Sequence, residues 1–310
     1  MRHFIAFSLT LILASIAFAQ IGNDIVVREL LPVVARTTVV GTYGSYAVDR
    51  KNFNSAVVVL HSAASTAGTG TSFVSYLQES AAPTTGTFVN RIGADTVANR
   101  INYDSSLTKR AVMFTQSGAR QINGVTLWMK RTGTLTGKYV IVTLQTNSGN
   151  KPTGTNVTAD AIDSAAATAI SASVWTWVSF TFQKPVDVAN STAYHFVVEG
   201  DWDTSATNYV SVASETVSSG GNLGTKGAAW KTMSTTQSMI GFAEEYNFAT
   251  VSGQTMDTVT EASPKFQSKA VDLRPRKQYL RTKTIVAGSS ASFVGGEAII
   301  LGEARYKPAQ

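Results

Sequence analysis

The chain has no cysteine. Disulfides, thiolate metal sites and cysteine nucleophiles are therefore excluded, and stability rests on the burial of apolar surface. Charge is scarce as well: Asp, Glu, Lys and Arg make up 15% of the 310 residues, against ~25% in an ordinary soluble protein. Proline occurs seven times and histidine three times, as His3, His61 and His195. Catalytic signatures are missing too. There is no Gly-x-Ser-x-Gly elbow, no phosphate-binding glycine loop and no His-Glu-x-x-His. No pair of carboxylates stands out as the two sides of a glycosidase cleft. The expectation is a protein that is not an enzyme.

What fills the space is Thr, Ser, Ala, Val and Gly. Thr and Val are stiff at χ1 and suit a pleated sheet better than a helix. The Gly and Ser fall in clusters, as hairpin connections require. At 44% hydrophobic residues over this length, the chain can build two cores. The formal charge of +6 is a mild excess and not a nucleic-acid signature.

The first residues stand apart. Arg2 gives a short positive region, Phe4 to Phe18 is largely apolar, and Ala17-Phe18-Ala19 supplies small-x-small before Gln20. That order predicts a signal helix over 1–19, cleaved on export, with an uncleaved anchor or buried arm as the alternative. After cleavage no other run is long enough to span a bilayer.

From about residue 25 to 90 the chain reads as short strands. Asn54 to Leu60 is a continuous apolar run, predicting a strand buried on both faces. From about 107 to 248 a period of two is clear. Val125, Leu127 and Met129 alternate with Thr126, Trp128 and Lys130. Val140, Val142 and Leu144 share one parity, as do Val174, Val178, Phe180 and Phe182, and Tyr194, Phe196 and Val198. Such spacing predicts a two-sheet sandwich. After about 254 the chain again resembles its N-terminal third. The fold class expected is all-β, two sandwich or jelly-roll-like domains with one inserted into the other: a host from 20–100 plus 254–310, and a guest from 101–253.

Four pieces of the flanks, Asn52 to Val59, Tyr76 to Ser80, Lys277 to Thr282 and Ala298 to Pro308, resemble small β-rich proteins encoded in the structural modules of tailed bacteriophages. The resemblance implies a virion structural or decoration role, with other virion subunits or the chain's own copies as partners. In that family the second and third pieces are close in sequence, and here the central block separates them. The central block, through segments such as Ile122 to Trp128, Gly137 to Val142, Trp177 to Phe182 and Ala193 to Val198, is similar to jelly-roll modules of secreted anchored proteins and phage tail proteins. Those modules resemble carbohydrate-binding domains. This implies contact with host-surface glycan, and it keeps open the alternative of a secreted or cell-surface adhesion protein.

Two sets of residues are candidate sites. Trp128, Trp175 and Trp177 have the parity opposite their strands' aliphatic residues, and Trp202 and Trp230 fall in loops. Outward indoles offer flat apolar faces for sugar rings, although packing under loops explains large aromatics equally well. Glu199, Asp201 and Asp203 form the densest acidic cluster, with the oxygen chemistry that calcium takes but without the full loop pattern of a known calcium motif. No other cofactor is expected. His61 and His195 read as ordinary half-buried or exposed histidines. Arg274, Arg276, Lys277, Arg281, Lys283, Arg305 and Lys307 lack interleaved stacking aromatics and read as solvated or subunit-facing rather than as a nucleic-acid surface.

Overall fold

A computed structural model describes residues 26–37, 41–62, 72–86, 96–217, 221–231, 233–260, 265–287 and 292–304. The expected signal segment 1–19 and the basic residues Arg305 and Lys307 lie outside them. Among the described residues no helix is long and apolar enough to cross a membrane. Their regular structure is strand, in antiparallel sheets, apart from one short 3-10 turn.

The chain first lays down β1 (Val26–Thr37), β2 (Gly41–Gly44), β3 (Val48–Asp49), β4 (Phe53–Ser62) and β5 (Ser72–Ser80). It continues through β6 (Thr84–Gly86), β7 (Val97–Ile101), β8 (Lys109–Thr115), β9 (Arg120–Thr132), β10 (Tyr139–Ser148), β11 (Lys151–Asn156) and β12 (Ile162–Ala166). A single 3-10 turn (Ala167–Ala169) leads to β13 (Thr176–Val188), β14 (Ala193–Gly200), β15 (Tyr209–Thr216), β16 (Leu223–Lys226), β17 (Gln237–Met239) and β18 (Gly241–Tyr246). It ends with β19 (Ala249–Thr255), β20 (Val259–Thr260), β21 (Lys265–Asp272), β22 (Tyr279–Ala287) and β23 (Ser292–Ala304).

These strands divide into two units, one ending at Glu79 and resuming at Ala249, the other running from Ser80 to Phe248. Within the first unit Glu79 and Ala249 are register partners on β5 and β19. Within the second, Asn247 N donates to Ser80 Oγ at 3.1 Å. Each unit thus closes its own end of the double crossing. The second unit takes in more of the chain than the 101–253 expected. β6 pairs with β18 and β7 with β15, so Thr84–Gly86 and Val97–Ile101 belong to its sheets, pairings across more than a hundred residues that local texture does not reveal.

In the first unit, one sheet has the order β1-β23-β4-β21 and the other β19-β5-β22-β2, with β20 on β5 and β3 on β22. Leu30, Val58, Leu60, Phe73, Leu77, Leu273, Leu280 and Ile299 form the core. The described parts of the four flank segments singled out in the sequence lie on the central strands of both sheets: β4 beside β23, and β5 beside β22. Their motif residues meet. Arg281 is fully buried and its Nε donates to Gln78 Oε1 at 2.9 Å. Glu79 accepts from Lys277 N at 3.0 Å and lies 3.9 Å from Arg276. Arg274 pairs with Asp272 at 2.9 Å. Arg281 and Arg276 are thus tied to β5, whereas Arg274 is exposed beside its near neighbour Asp272 and Lys277 contributes only its backbone N–H. Asn54 to Leu60 is not buried on both faces: Ala56, Val58 and Leu60 point into the core, while Val57 and Val59 are half-buried on the other side.

In the second unit, one sheet has the order β11-β10-β14-β8-β16, with β12 on β10, and the other is built around β9. β9 pairs with β13 on one edge and with β18 and then β15 on the other. Val125, Leu127, Met129, Val140, Val142, Leu144, Phe180, Phe196 and Val198 fill the space between the sheets, as the period-two reading expects. Val174 departs from it and is 58% exposed, because it precedes the paired part of β13.

Gly124 is required where it stands. A Cβ there would lie 2.0 Å from the Phe180 carbonyl oxygen, a backbone atom of the neighbouring strand that cannot swing away. Gly124→Ala is expected to destabilise by about 1–3 kcal/mol. A fall in the urea midpoint at unchanged m-value would show it.

Candidate functional site

The second unit's β9 sheet turns its aliphatic side chains inward, so the intervening positions of β9, β13 and β18 face out. Trp177 stands directly opposite Trp128 in the β13–β9 register. Their rings are 6.0 Å apart and 27° from parallel. Trp175 lies 5.7 Å from Trp128, and Phe242 of β18 lies 5.6 Å from Trp177. Trp177 is 40% exposed, and Trp128, Trp175 and Phe242 are half-buried. The arrangement is an aromatic ladder across three strands, the kind of cross-strand contact that stabilises a sheet while leaving ring faces to solvent.

Polar groups border it. Thr126 and Ser179 share a hydrogen bond of 2.8 Å between hydroxyls, and Asn123 Nδ2 donates to Glu244 Oε2 at 3.1 Å. Further along the same sheet the Arg100 guanidinium sits 4.2 Å over the Tyr103 ring and 5.2 Å from that of Tyr209. Apolar planes with hydroxyl, amide and carboxylate groups at the rim suit a ligand that has flat C–H faces and equatorial hydroxyls. Phe242, Arg100, Tyr103 and Tyr209 are not candidates from sequence alone. Phe242 alternates with buried Ala243, but its place beside Trp177 depends on β18 pairing with β9 across more than a hundred residues.

The other two tryptophans are elsewhere. Trp202 is 7% exposed and belongs to the core between the sheets. It packs so closely over Gly200 that a Cβ there would be 2.3 Å from the indole. Trp230 is half-buried against Ala111, Val197 and Met233, with Lys226 Nζ 6.0 Å from its ring centre. The sequence expectation for both is a loop residue open to sugar; Trp202 is instead a core side chain.

The acidic cluster does not converge. Glu199 forms an ion pair with Lys109, Asp201 Oδ1 accepts the Tyr139 N–H at 2.7 Å, and Asp203 is exposed. Among the described residues no three His, Asp or Glu side chains are gathered where they could hold a metal ion. Glu199 and Asp201 instead fasten the end of β14 to β8 and β10.

His195 is fully buried, not half-exposed. β14 is central in its sheet, and its outer side is covered through Val197 by Met233 and Trp230. Nε2 donates to Asn147 Oδ1 at 2.8 Å, since an amide oxygen can only accept. Burial holds the imidazole pKa down at about 4. Arg110, also buried, donates from Nε to the Arg100 carbonyl at 3.0 Å and from Nη1 to Thr225. His61 is half-buried on the outer side of β4.

No family model matches the chain, and no curated protein matches it. Solved structures resemble it at low similarity. A structure of infectious bursal disease virus, Gt strain, is 7% identical with a TM-score of 0.21, over 94% of this chain and 85% of that one. The Gx strain is 8% identical with a TM-score of 0.24, over 92% and 83%. A VP2 subviral particle of the same virus is 9% identical with a TM-score of 0.19, over 91% and 82%. Scores this low are not those of a shared fold and carry no functional inference.

Proposed function

We propose that the protein is a non-enzymatic structural or decoration component of a virus particle, and that its inserted sandwich contacts saccharide on a host surface through the Trp128–Trp175–Trp177–Phe242 face. One observation carries the first half. The described parts of the four segments that resemble phage structural proteins fall on the central strands of one unit, with Gln78 and Arg281 bonded between two of them. Glu79 and Ala249 pair on either side of the second unit, as they would if a recognition module had been inserted at a tolerant site of a particle protein. A repeated lattice then multiplies weak single contacts. Antibody against the protein, followed by gold labelling, is expected to decorate intact particles. Labelling confined to the cell envelope contradicts the proposal.

The exposed aromatic ladder favours a second reading, an exported adhesion protein that binds glycan without a particle. Both readings give the same expectation for the face. Trp177→Ala should weaken saccharide binding about tenfold, the loss of roughly 1.4 kcal/mol of stacking, while the lost ring contacts with Trp128 and Phe242 cost only about 0.2–1 kcal/mol of stability. Silence of the wild-type protein on a glycan array removes the saccharide from both readings.

A further inference from the structure

Within the described residues of the first unit, the apolar core lies on one side of the β1-β23-β4-β21 sheet, and Val57, Val59, Ala298 and Ile300 on its other side are not part of it. The outward residues of β1-β23-β4-β21 fall into register rows: Ser268, Val59, Ala298 and Glu29 in one, and Ala270, Val57, Ile300 and Val27 in the next. Phe266 stands beside His61 at one end. Phe266 is 62% exposed and Val27 38%. Val57, Val59, Ala298 and Ile300 are not exposed to that degree, although Val57 and Val59 are only half-buried on a central strand. β-Branched and aromatic side chains here face outward across all four strands, where a solvated sheet face would alternate to polar.

We infer that this face is the surface on which two copies of the chain pack, sheet against sheet, about a two-fold axis. Three features select a second copy. The first is size. Four strands at ~4.8 Å spacing by about seven residues at ~3.3 Å rise cover about 19 by 23 Å. That is about 440 Å² before side-chain relief, below the ~800 Å² per partner of a standard interface and the size of a weaker, reversible self-association.

The second is charge. Each molecule carries +6 overall, so copies repel except where the surface is neutral. The two central rows carry one charge, Glu29 at the β1 edge, and Asp272 beyond them is paired with Arg274. Such a face opposes its own image without repulsion and offers nothing complementary to a strongly charged partner.

The third is the blunting of the β21 edge. Lys269, inward-pointing, donates from Nζ to the Thr255 carbonyl at 2.9 Å, and Gln267 bonds the Asp257 main chain at 2.8 and 3.0 Å. A charged inward residue on an edge strand disfavours strand addition, which leaves the face rather than the edge for association. An isologous face-to-face pairing closes at two copies and does not propagate. This deepens the proposal above by naming the partner and the surface, and its test is independent of where the protein resides.

The experiment is sedimentation velocity on the full chain lacking residues 1–19, at micromolar concentration, together with cross-linking. The chain has no cysteine, so Val57→Cys supplies the only thiol, at the centre of the face. A short bis-maleimide is expected to join Val57→Cys into a covalent dimer and to leave Ser252→Cys, at an exposed position of β19, without a covalent cross-link. Phe266→Lys with Ala270→Lys, both at exposed positions, is expected to shift the sedimenting species from dimer to monomer with an unchanged circular dichroism spectrum. A monomeric wild type, equal cross-linking of the two cysteine variants, or a dimer that survives both lysines overturns the inference. Gold-labelled particles with a monomeric free protein would reject this surface and keep the particle reading. A dimer found only in the envelope would do the reverse.

Discussion

Trp202→Ala should cost the second unit about 3–5 kcal/mol, the range for removing a large buried aromatic, and lower its unfolding temperature by roughly 10 °C. The indole fills core space between the sheets at 7% exposure. Its removal leaves a void that β-sheet backbone cannot close. The loop around it is also held from the main chain: Asn102 Nδ2 donates to the carbonyls of Gly200 and Trp202 at 3.0 and 2.5 Å, and Asn102 takes a positive φ of 51° to do so. Trp202→Phe should recover more than half the loss, because the Trp202 Nε1 donor has no partner among the described residues and Phe omits it. Differential scanning calorimetry decides this. A shift of no more than about 2 °C for the Ala variant, on the ~2–4 °C per kcal/mol of a domain this size, would mean that Trp202 is not a core residue. The same comparison keeps binding apart from folding, since Trp177→Ala changes a ring face that is already 40% exposed.

Acid should unfold the second unit through His195. In the unfolded chain an imidazole takes up its proton near pH 6.5, whereas in the fold burial holds that back to about pH 4. Above 6.5 both states are neutral at this residue and it adds no pH dependence. Below 6.5 the unfolded state binds the proton first, so stability falls as pH falls. The loss levels off below about 4, where both states are protonated. The span corresponds to about 3 kcal/mol at 1.36 kcal/mol per unit. His195→Gln, which keeps a donor toward Asn147 Oδ1, should flatten the stability profile between pH 6.5 and 4. Profiles of wild type and variant that run parallel across this window would contradict a buried neutral imidazole. Asp104 and Asp272 are held below the usual carboxylate range by hydrogen bonds from Ser106 and Arg274, so their own titration falls beneath this window.

Much of the sandwich is legible in the sequence because alternation is a local signal. Val125, Leu127 and Met129 point inward where their parity puts them, and Trp128 and Trp177 point outward for the same reason. Wherever the second face of a strand is at issue, local pattern fails. Val57 belongs to an unbroken apolar run, yet burial depends on whether another layer covers that side of the sheet, and Val57 lies outside the first unit's core. His195 alternates with Tyr194 and Phe196 as an outward residue should, yet it is fully buried on a central strand and bonded to Asn147 of β10. Trp202 reads as a loop residue because its neighbours Asp201 and Asp203 are acidic, while its indole turns back into the core. Long-range pairing likewise hides β6 and β7 from the inserted unit and Phe242 from the aromatic ladder. Calcium is suggested by sequence crowding alone; Glu199 and Asp201 find nearer partners in Lys109 and the Tyr139 amide.

The most direct test of the particle assignment is quantitative peptide mass spectrometry on purified particles and on particle-free supernatant from the same culture. The account predicts enrichment in the particles at many copies each, with peptides from both flanks and from the inserted unit in equal amounts. Recovery only from the supernatant or the cell envelope would contradict it and leave the exported adhesion protein in its place.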